Sequence, residues 1–446
     1  MKKFNECKNI NEIIDIIDYN FLEKISYILI ILWCINPIFE LLFKENCKIF
    51  YMNYYYIQTI IPVIGVIGIF NFIIFYYKYI REHGFKLKQN ISLLLIGLLV
   101  LLAIISTFFA EDKSIAILGD SYRKEGLIRY ILYVGFLLNA MCIKDKKYLF
   151  RIFKTIIWCC LVSSLYPLLL KGESNFYNRE YSNIFMQFNH YGYYLMISSF
   201  LSLFIFINEK NNYKKIIYLG VFTIILFFLI INNTFGCYLA FLITFICFII
   251  YSLFFKWKRM ECIIASIIFI TLSITLFNSS ENYIVKENIK ELLMDSKIIN
   301  NYVLNNNKES KEKIYSIGTS RGILWKYAIL KIKEKPLVGG GIECLGTFYA
   351  DNKIDQDRPH NIILQIASFV GIPAAFVYII IIFKIFLSSL KNLKEKNIFV
   401  IGIFFTGICY FISSMFGNSM FYTSPYFMII LGLLLSFNYK IEKRIK

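Results

Sequence analysis

Residues 236–255 read GCYLAFLITFICFIIYSLFF, twenty positions without one charged side chain. At about 1.5 Å of rise per residue, such a run crosses a hydrocarbon core of about 30 Å as a helix. A helix on the surface of a water-soluble domain would carry a polar face, and this stretch has none. Apolar runs of similar length recur at roughly 24–43, 57–80, 91–110, 126–143, 150–170, 184–207, 216–231, 260–277, 362–387, 398–416 and 423–439, which makes twelve in all. In lipid a chain must satisfy its own backbone hydrogen bonds, and runs of this length do so as helices. The expected fold is therefore all-α: a polytopic membrane protein with about twelve transmembrane helices. Residues 1–277 carry helices 1–9, residues 278–361 form one large extracytoplasmic loop, and residues 362–446 carry helices 10–12. An apolar content of 58% and a mean hydropathy of +0.58 over 446 residues exclude an ordinary soluble enzyme.

The formal net charge of +18 raises the question of nucleic acid, and its distribution answers it. With the N-terminus taken as cytoplasmic, the segments on that side hold 27 Lys and Arg, whereas the five short loops opposite hold eight. The long segment 278–361 holds the other 13, but long loops escape the positive-inside rule. The basic charge thus sets topology, with both termini cytoplasmic, and contact with anionic membrane lipids follows from it. No nucleic-acid partner is expected. Eight of the eleven cysteines lie in or beside apolar runs, where cysteine behaves as a small hydrophobe. With no Cys-x-x-Cys and no Cys/His group at zinc spacing, neither a metal nor another cofactor is expected. The first 23 residues are polar and do not resemble a cleavable signal peptide.

The long outer segment has two parts. Residues 281–317 are rich in Lys, Glu and Asn, and read as a helix over 284–304 followed by a solvated linker. Residues 318–361 differ in kind. Trp325, Tyr327 and aliphatic residues mixed with lysines predict a helix lying in the membrane interface, capped by Thr319 or Ser320 and ended by Pro336. Gly339-Gly340-Gly341 follows, a backbone suited to tight turns and close approach.

Arg123, Arg129, Arg321 and Arg358 all map to the outer face or just beneath it. Guanidinium is permanently charged, planar and able to grip phosphate through two parallel hydrogen bonds. For any one of them a headgroup contact is the plainer reading; four on one side point to a diphosphate. Within Arg358-Pro359-His360-Asn361, Pro359 is expected to open a helix whose positive end favours phosphate. Arg358 is expected to keep His360 neutral, able to take a proton from a sugar hydroxyl. Gln187, Asn189 and His190 are costly in lipid unless they face a cavity or bond between helices. His83 lies in a basic cytoplasmic loop with no role in chemistry.

These residues resemble the O-antigen ligase and polymerase family of bacterial membrane glycosyltransferases. The match runs through Thr319-Ser320-Arg321-Gly322 with Trp325, and through Pro336-Leu337-Val338-Gly339-Gly340-Gly341-Ile342-Glu343. It continues through Arg358-Pro359-His360-Asn361 to Leu364, Gly371 and Pro373. Tyr122-Arg123-Lys124-Glu125-Gly126 and Asn189-His190-Tyr191-Gly192 extend it. The resemblance implies a protein of the bacterial cytoplasmic membrane that moves a glycan from an undecaprenyl-diphosphate carrier to an acceptor hydroxyl on a glycan, lipid or protein. His360 would activate the acceptor, while Arg321 and Arg123 hold the diphosphate with help from Arg358 or Arg129. Asn361, Asn189, His190 and Glu343 would support them. A flippase and a chain-length regulator are partners of the kind such an enzyme works beside. Many members carry Ser-Arg-Gly where this chain reads Asn233-Thr234-Phe235-Gly236, so one arginine is missing.

A transporter or flippase for the same lipid-linked glycans is the reading from another class. Transporters usually show internal repeats and midplane charge. Here no repeat is visible, and the polar features gather at the outer face.

Overall fold

A computed structural model describes residues 9–39, 50–121, 123–170, 185, 188–232, 234–278, 290–291, 293–298, 317–418 and 420–437. Tyr122, Gln187, Asn233 and most of the helix expected over 284–304 lie outside the described residues. The described residues form helices and no strand. In chain order they are α1 (Ile10–Ile16), α2 (Tyr19–Cys34), α3 (Phe50–His83), α4 (Leu87–Phe108), α5 (Lys113–Leu118), α6 (Leu127–Met141), α7 (Lys146–Leu170), α8 (Phe188–Asn208) and α9 (Asn212–Ile231). Then come α10 (Phe235–Phe254), α11 (Arg259–Asn278), α12 (Ile317–Glu334), α13 (Leu345–Asp351), α14 (Ile362–Val370), α15 (Ile372–Lys394), α16 (Ile398–Ser414) and α17 (Ser424–Ser436).

Nine helices among the described residues are long and apolar enough to cross a membrane, and α6, α16 and α17 are shorter apolar helices. The chain is an all-α, multi-pass membrane protein. Lipid-facing helices such as α4 leave leucines exposed, whereas α8 is buried on every side from His190 to Ile207. Two of its serines bond back to their own helix, Ser199 Oγ to Leu195 O at 2.8 Å and Ser202 Oγ to Ser199 O at 2.9 Å, so the buried axis leaves those two hydroxyls satisfied. Small residues let α6 approach its neighbours closely: Gly135 packs on the Gly65 backbone of α3, and Gly432 of α17 on the Leu137 carbonyl.

The single span expected over 362–387 is broken. α14 ends at Gly371 (φ +100°), and α15 starts at once in a new direction. A break inside an apolar run strands carbonyls that lipid cannot satisfy. Gly340 N–H donates to Ser368 O at 2.9 Å, Gly341 N–H to Phe369 O at 3.0 Å, and Ser106 Oγ to Phe369 O at 2.8 Å. Ile372 N–H in turn reaches Pro336 O at 2.8 Å. A Cβ at Gly339 or Gly371 would collide with the opposing backbone, so the close approach expected of the glycine run is real and has a stated purpose.

Two expected caps move. α12 begins before Thr319 and Ser320, and the Asp295 carboxylate accepts the Gly318 N–H at 2.8 Å. Pro359 does not open α14; Asn361 caps it, its Oδ1 accepting from Ile363 and Leu364 N–H at 3.0 Å each. Those two donors are then unavailable to a phosphate, so the helix-end anion site expected at Pro359 is not formed as drawn.

Candidate functional site

Four connections meet at one end of the bundle: 119–126 before α6, 335–344 before α13, 352–361 before α14, and 415–423 before α17. The N-terminus of α8 lies beneath them. The 352–361 connection is pinned where it matters. Trp325 Nε1 on α12 donates to Pro359 O at 2.9 Å, and Asn361 Nδ2 donates to Met415 O at 3.2 Å. His360, between these anchors, adopts φ +53°, a left-handed backbone that a β-carbon residue holds only under constraint.

Asn418 Nδ2 stands 3.1 Å from His360 Nε2, positioned to donate to that nitrogen in the tautomer that carries its proton on Nδ1. Gln356 Oε1 stands 3.3 Å from the same nitrogen, an acceptor for the proton once Nε2 carries it. Burial first and the Arg321 charge second depress the imidazole to about 4, with Asp357 opposing them. The expectation of a neutral ring holds, but its main charged cause is Arg321, and Arg358 comes behind both Asp357 and Arg123.

Arg358 is turned away from His360. It is 1% exposed, and its guanidinium pairs with Glu125 Oε2 at 2.8 Å and with Glu343 Oε1. Tyr133 donates to the other oxygen of Glu125. Burial pushes the Glu343 carboxyl up, with Arg358 opposing, so the triad avoids placing two full negative charges against one positive one. Arg123, also buried, grips both oxygens of Asp357 through Nε and Nη2; its Nη1 has no partner among the described residues. Burial raises Asp357, but Arg123 and then Arg358 outweigh it and hold the carboxyl below its usual range.

Arg321 donates to Gly318 O at 2.8 Å. Arg129 points inward from the first turn of α6, to Gln58 Oε1 on α3 and Lys124 O, one helix away from the His360 group. His190 is 2% exposed with neither ring nitrogen bonded among the described residues, and the charges of Arg123, Arg358 and His360 reach it. Asn189 is half-buried beside it. Where an arginine is missing at 233–236, Asn232 and Thr234 tie down the start of α8 through Phe188 O, at 2.9 and 3.2 Å.

Oxygens of Asp120, Glu343 and Asp357 lie within 4.8 Å of one another, the arrangement among the described residues that a divalent ion would favour. Glu343 and Asp357 already face Arg358 and Arg123, so guanidinium groups balance most of that charge. Sequence reasoning assigned no role to Asp357, Glu125, Gln356 or Asn418. Glu125 and Asp357 adjoin quoted motifs and could have been weighed as counter-charges; Asn418, 58 residues after His360, carried no signal.

Chemically, the group offers an imidazole between two amide side chains, an Arg123 Nη1 without a partner among the described residues, and an ion-pair frame behind them. No curated protein matches the chain. Residues 219–379, which include Arg321, Glu343, Arg358 and His360 but not Arg123 or His190, match the family model described as O-antigen ligase. Over that stretch, about a third of the chain, it is similar to the O-antigen ligase family that its sequence resembles.

Proposed function

We propose that the protein transfers a glycan from an undecaprenyl-diphosphate carrier to an acceptor hydroxyl at the extracytoplasmic face of the cytoplasmic membrane, building cell-surface polysaccharide. The observation that carries this reading is the His360 environment: a neutral imidazole beside Arg321, with Arg123 within reach of its field. The acceptor hydroxyl takes the place of the Asn418 amide at Nε2 and gives up its proton as its oxygen attacks the anomeric carbon. Gln356 then receives the new N–H, and the bond from sugar to diphosphate breaks. Arg321 and the free edge of Arg123 stabilise the leaving diphosphate where its charge grows. The carrier bond is already activated, so alignment, proton removal and charge stabilisation suffice, without a metal or nucleotide.

Arg358 and Glu343 take a different part from the one their sequence invites. Their shared ion pair with Glu125 holds the 358–361 turn in register, and they act through His360 rather than on the substrate. Arg129 braces α6 against α3. The deciding experiment compares the sizes of lipid-linked glycans in cells with wild type, a deletion, and His360→Ala. Single repeat units accumulating in both mutants identify a polymerase, and long chains stranded on the carrier identify a ligase. An unchanged distribution returns the question to transport.

A further inference from the structure

The connection 415–423, which leads from α16 to α17, touches His360 through Asn418 and the first turns of α8 through Gly417 and Tyr422. Its course is fixed on both sides. Met415 O accepts from Asn361 Nδ2 at 3.2 Å, and a Cβ at Gly417 would stand 2.7 Å from the Tyr193 hydroxyl. The Tyr422 ring lies 6.2 Å from that of His190, which shares a face of α8 with Tyr193 three residues on. The neighbouring phenols of this helix are paired, the Tyr191 hydroxyl with Ser164 Oγ at 2.6 Å and the Tyr194 hydroxyl with Ile156 O at 3.0 Å. His190 is different: it is buried with neither ring nitrogen bonded among the described residues, and Asn418 Oδ1 is likewise without a partner there. Unpaired buried polar atoms are costly, so two such groups along one connection point to a ligand that pairs them.

We infer that Asn418, with His190 behind it, decides which hydroxyl of the acceptor sugar is glycosylated, a conclusion that rests on the glycan-transfer reading above. Adjacent hydroxyls of a sugar ring differ little as nucleophiles, and a base at His360 Nε2 takes a proton from whichever one reaches it. The choice therefore comes from how the ring is held. An amide suits this task, since it offers donors on one side and an acceptor on the other. When the attacking hydroxyl takes the place of the Asn418 amide at Nε2, the amide is released beside the incoming ring. Its Oδ1 then accepts from the next hydroxyl, a bond that one orientation of the ring alone can make. The imidazole of His190, when uncharged, adds one donor and one acceptor for a more distant substituent. This set fits a neutral, hydroxyl-rich occupant. A phosphate diester only accepts hydrogen bonds, and would leave Oδ1 unpaired.

The test reads linkage positions by methylation analysis of the surface glycan from cells with wild type, a deletion, Asn418→Leu, Asn418→Asp or His190→Leu. Each protein is checked for amount and thermal melting. Wild type should join the transferred units through one hydroxyl. Asn418→Leu, similar in size but without hydrogen bonds, should lose about tenfold in selectivity, seen as a second linkage at the adjacent hydroxyl. Asn418→Asp keeps an acceptor oxygen and should keep the single linkage, while His190→Leu should lose a few-fold. A merely structural role lowers yield and leaves linkage alone, so an unchanged linkage in well-folded Asn418→Leu overturns the inference. If Asn418→Leu does not fold, wild type in nanodiscs decides, with the lipid-linked glycan accumulated by the deletion strain as donor. The acceptor is a synthetic glycoside of the sugar found at the linkage, with the adjacent hydroxyl present or replaced by hydrogen. A KM about tenfold higher for the deoxy acceptor sustains the inference, and equal KM values reject it. A deletion strain whose glycan matches wild type in length and linkage defeats the transfer reading itself, and the inference falls with it.

Discussion

The two ends of the helical bundle carry charge in opposite ways. At the end holding the connections α1–α2, α3–α4, α6–α7 and α15–α16, basic side chains mostly sit in solvent with local partners. Arg81 pairs with Asp15 at 2.9 Å with both side chains well exposed, and Lys391 with Glu395 at 3.8 Å likewise. Such pairs contribute little energy. At the opposite end, Arg358, Glu125 and Glu343 are sealed at 1–2% side-chain exposure. Removing those charges from water is expensive, so the arrangement survives only because each group faces another. The comparison teaches that counting arginines says where charge is, while burial and partnership say what it can do.

Breaking the sealed end should have the largest effect. Arg358→Met leaves Glu125 and Glu343 facing each other without a cation and should cost about 3–5 kcal/mol, read as a large drop in melting temperature in detergent. Glu343→Gln should cost far less, because burial already favours the protonated carboxyl. A Glu343→Gln loss as large as that of Arg358→Met would mean the triad is held differently.

His360→Ala should leave the melting temperature nearly unmoved and lower glycan transfer by about 10²–10⁴-fold, the usual range for a lost general base. His83→Ala, at the other end, should do neither. Next in size is Gly371→Ala, where φ is +100° and a Cβ meets the Leu337 carbonyl. About 1–3 kcal/mol of strain is expected, read as a lower melting temperature.

The pH dependence sharpens the contrast further. A folded value near 4 for His360, below the ordinary 6.5, means the folded protein binds fewer protons here than the unfolded chain between those two values. Its contribution to stability is full above about 6.5 and declines as pH falls toward 4. The acid limb of kcat/KM for the free enzyme should therefore lie well below pH 6.5, and Arg321→Gln should move it upward. A limb at 6.5 that Arg321→Gln leaves in place would separate the two residues. The smallest effect belongs to Arg81→Met, within about 0.5 kcal/mol of wild type.

Much of the fold was legible because hydropathy is local. Each apolar run announces its own helix, and the glycine run announced a close approach. The failure at 362–387 is instructive. Gly371 with Pro373 two residues later is a local signal for a break, since proline suits the first turn of a new helix and not the middle of an old one, but an apolar run of full spanning length hid it. What permits it is the pairing of Gly340 and Gly341 with Ser368 and Phe369, about thirty residues away along the chain. The candidate site was legible in its parts: His360, Arg321 and Arg123 were all marked by residue type and motif. The role of Arg358 was not, since its partner Glu125 lies 233 positions earlier.

The sequence by itself determined a membrane-spanning helical chain, the residue types that could hold phosphate and move a proton, and a resemblance to the O-antigen ligase family over its central part. Only the tertiary structure decided which arginines are paired with buried carboxylates, which side chains stand beside His360, and how the broken helix at Gly371 is held. Hydrophobicity and residue chemistry belong to each position and can be read in order. Burial, ion pairing and the rescue of stranded carbonyls belong to pairs of distant positions, and come into being only when the chain has folded.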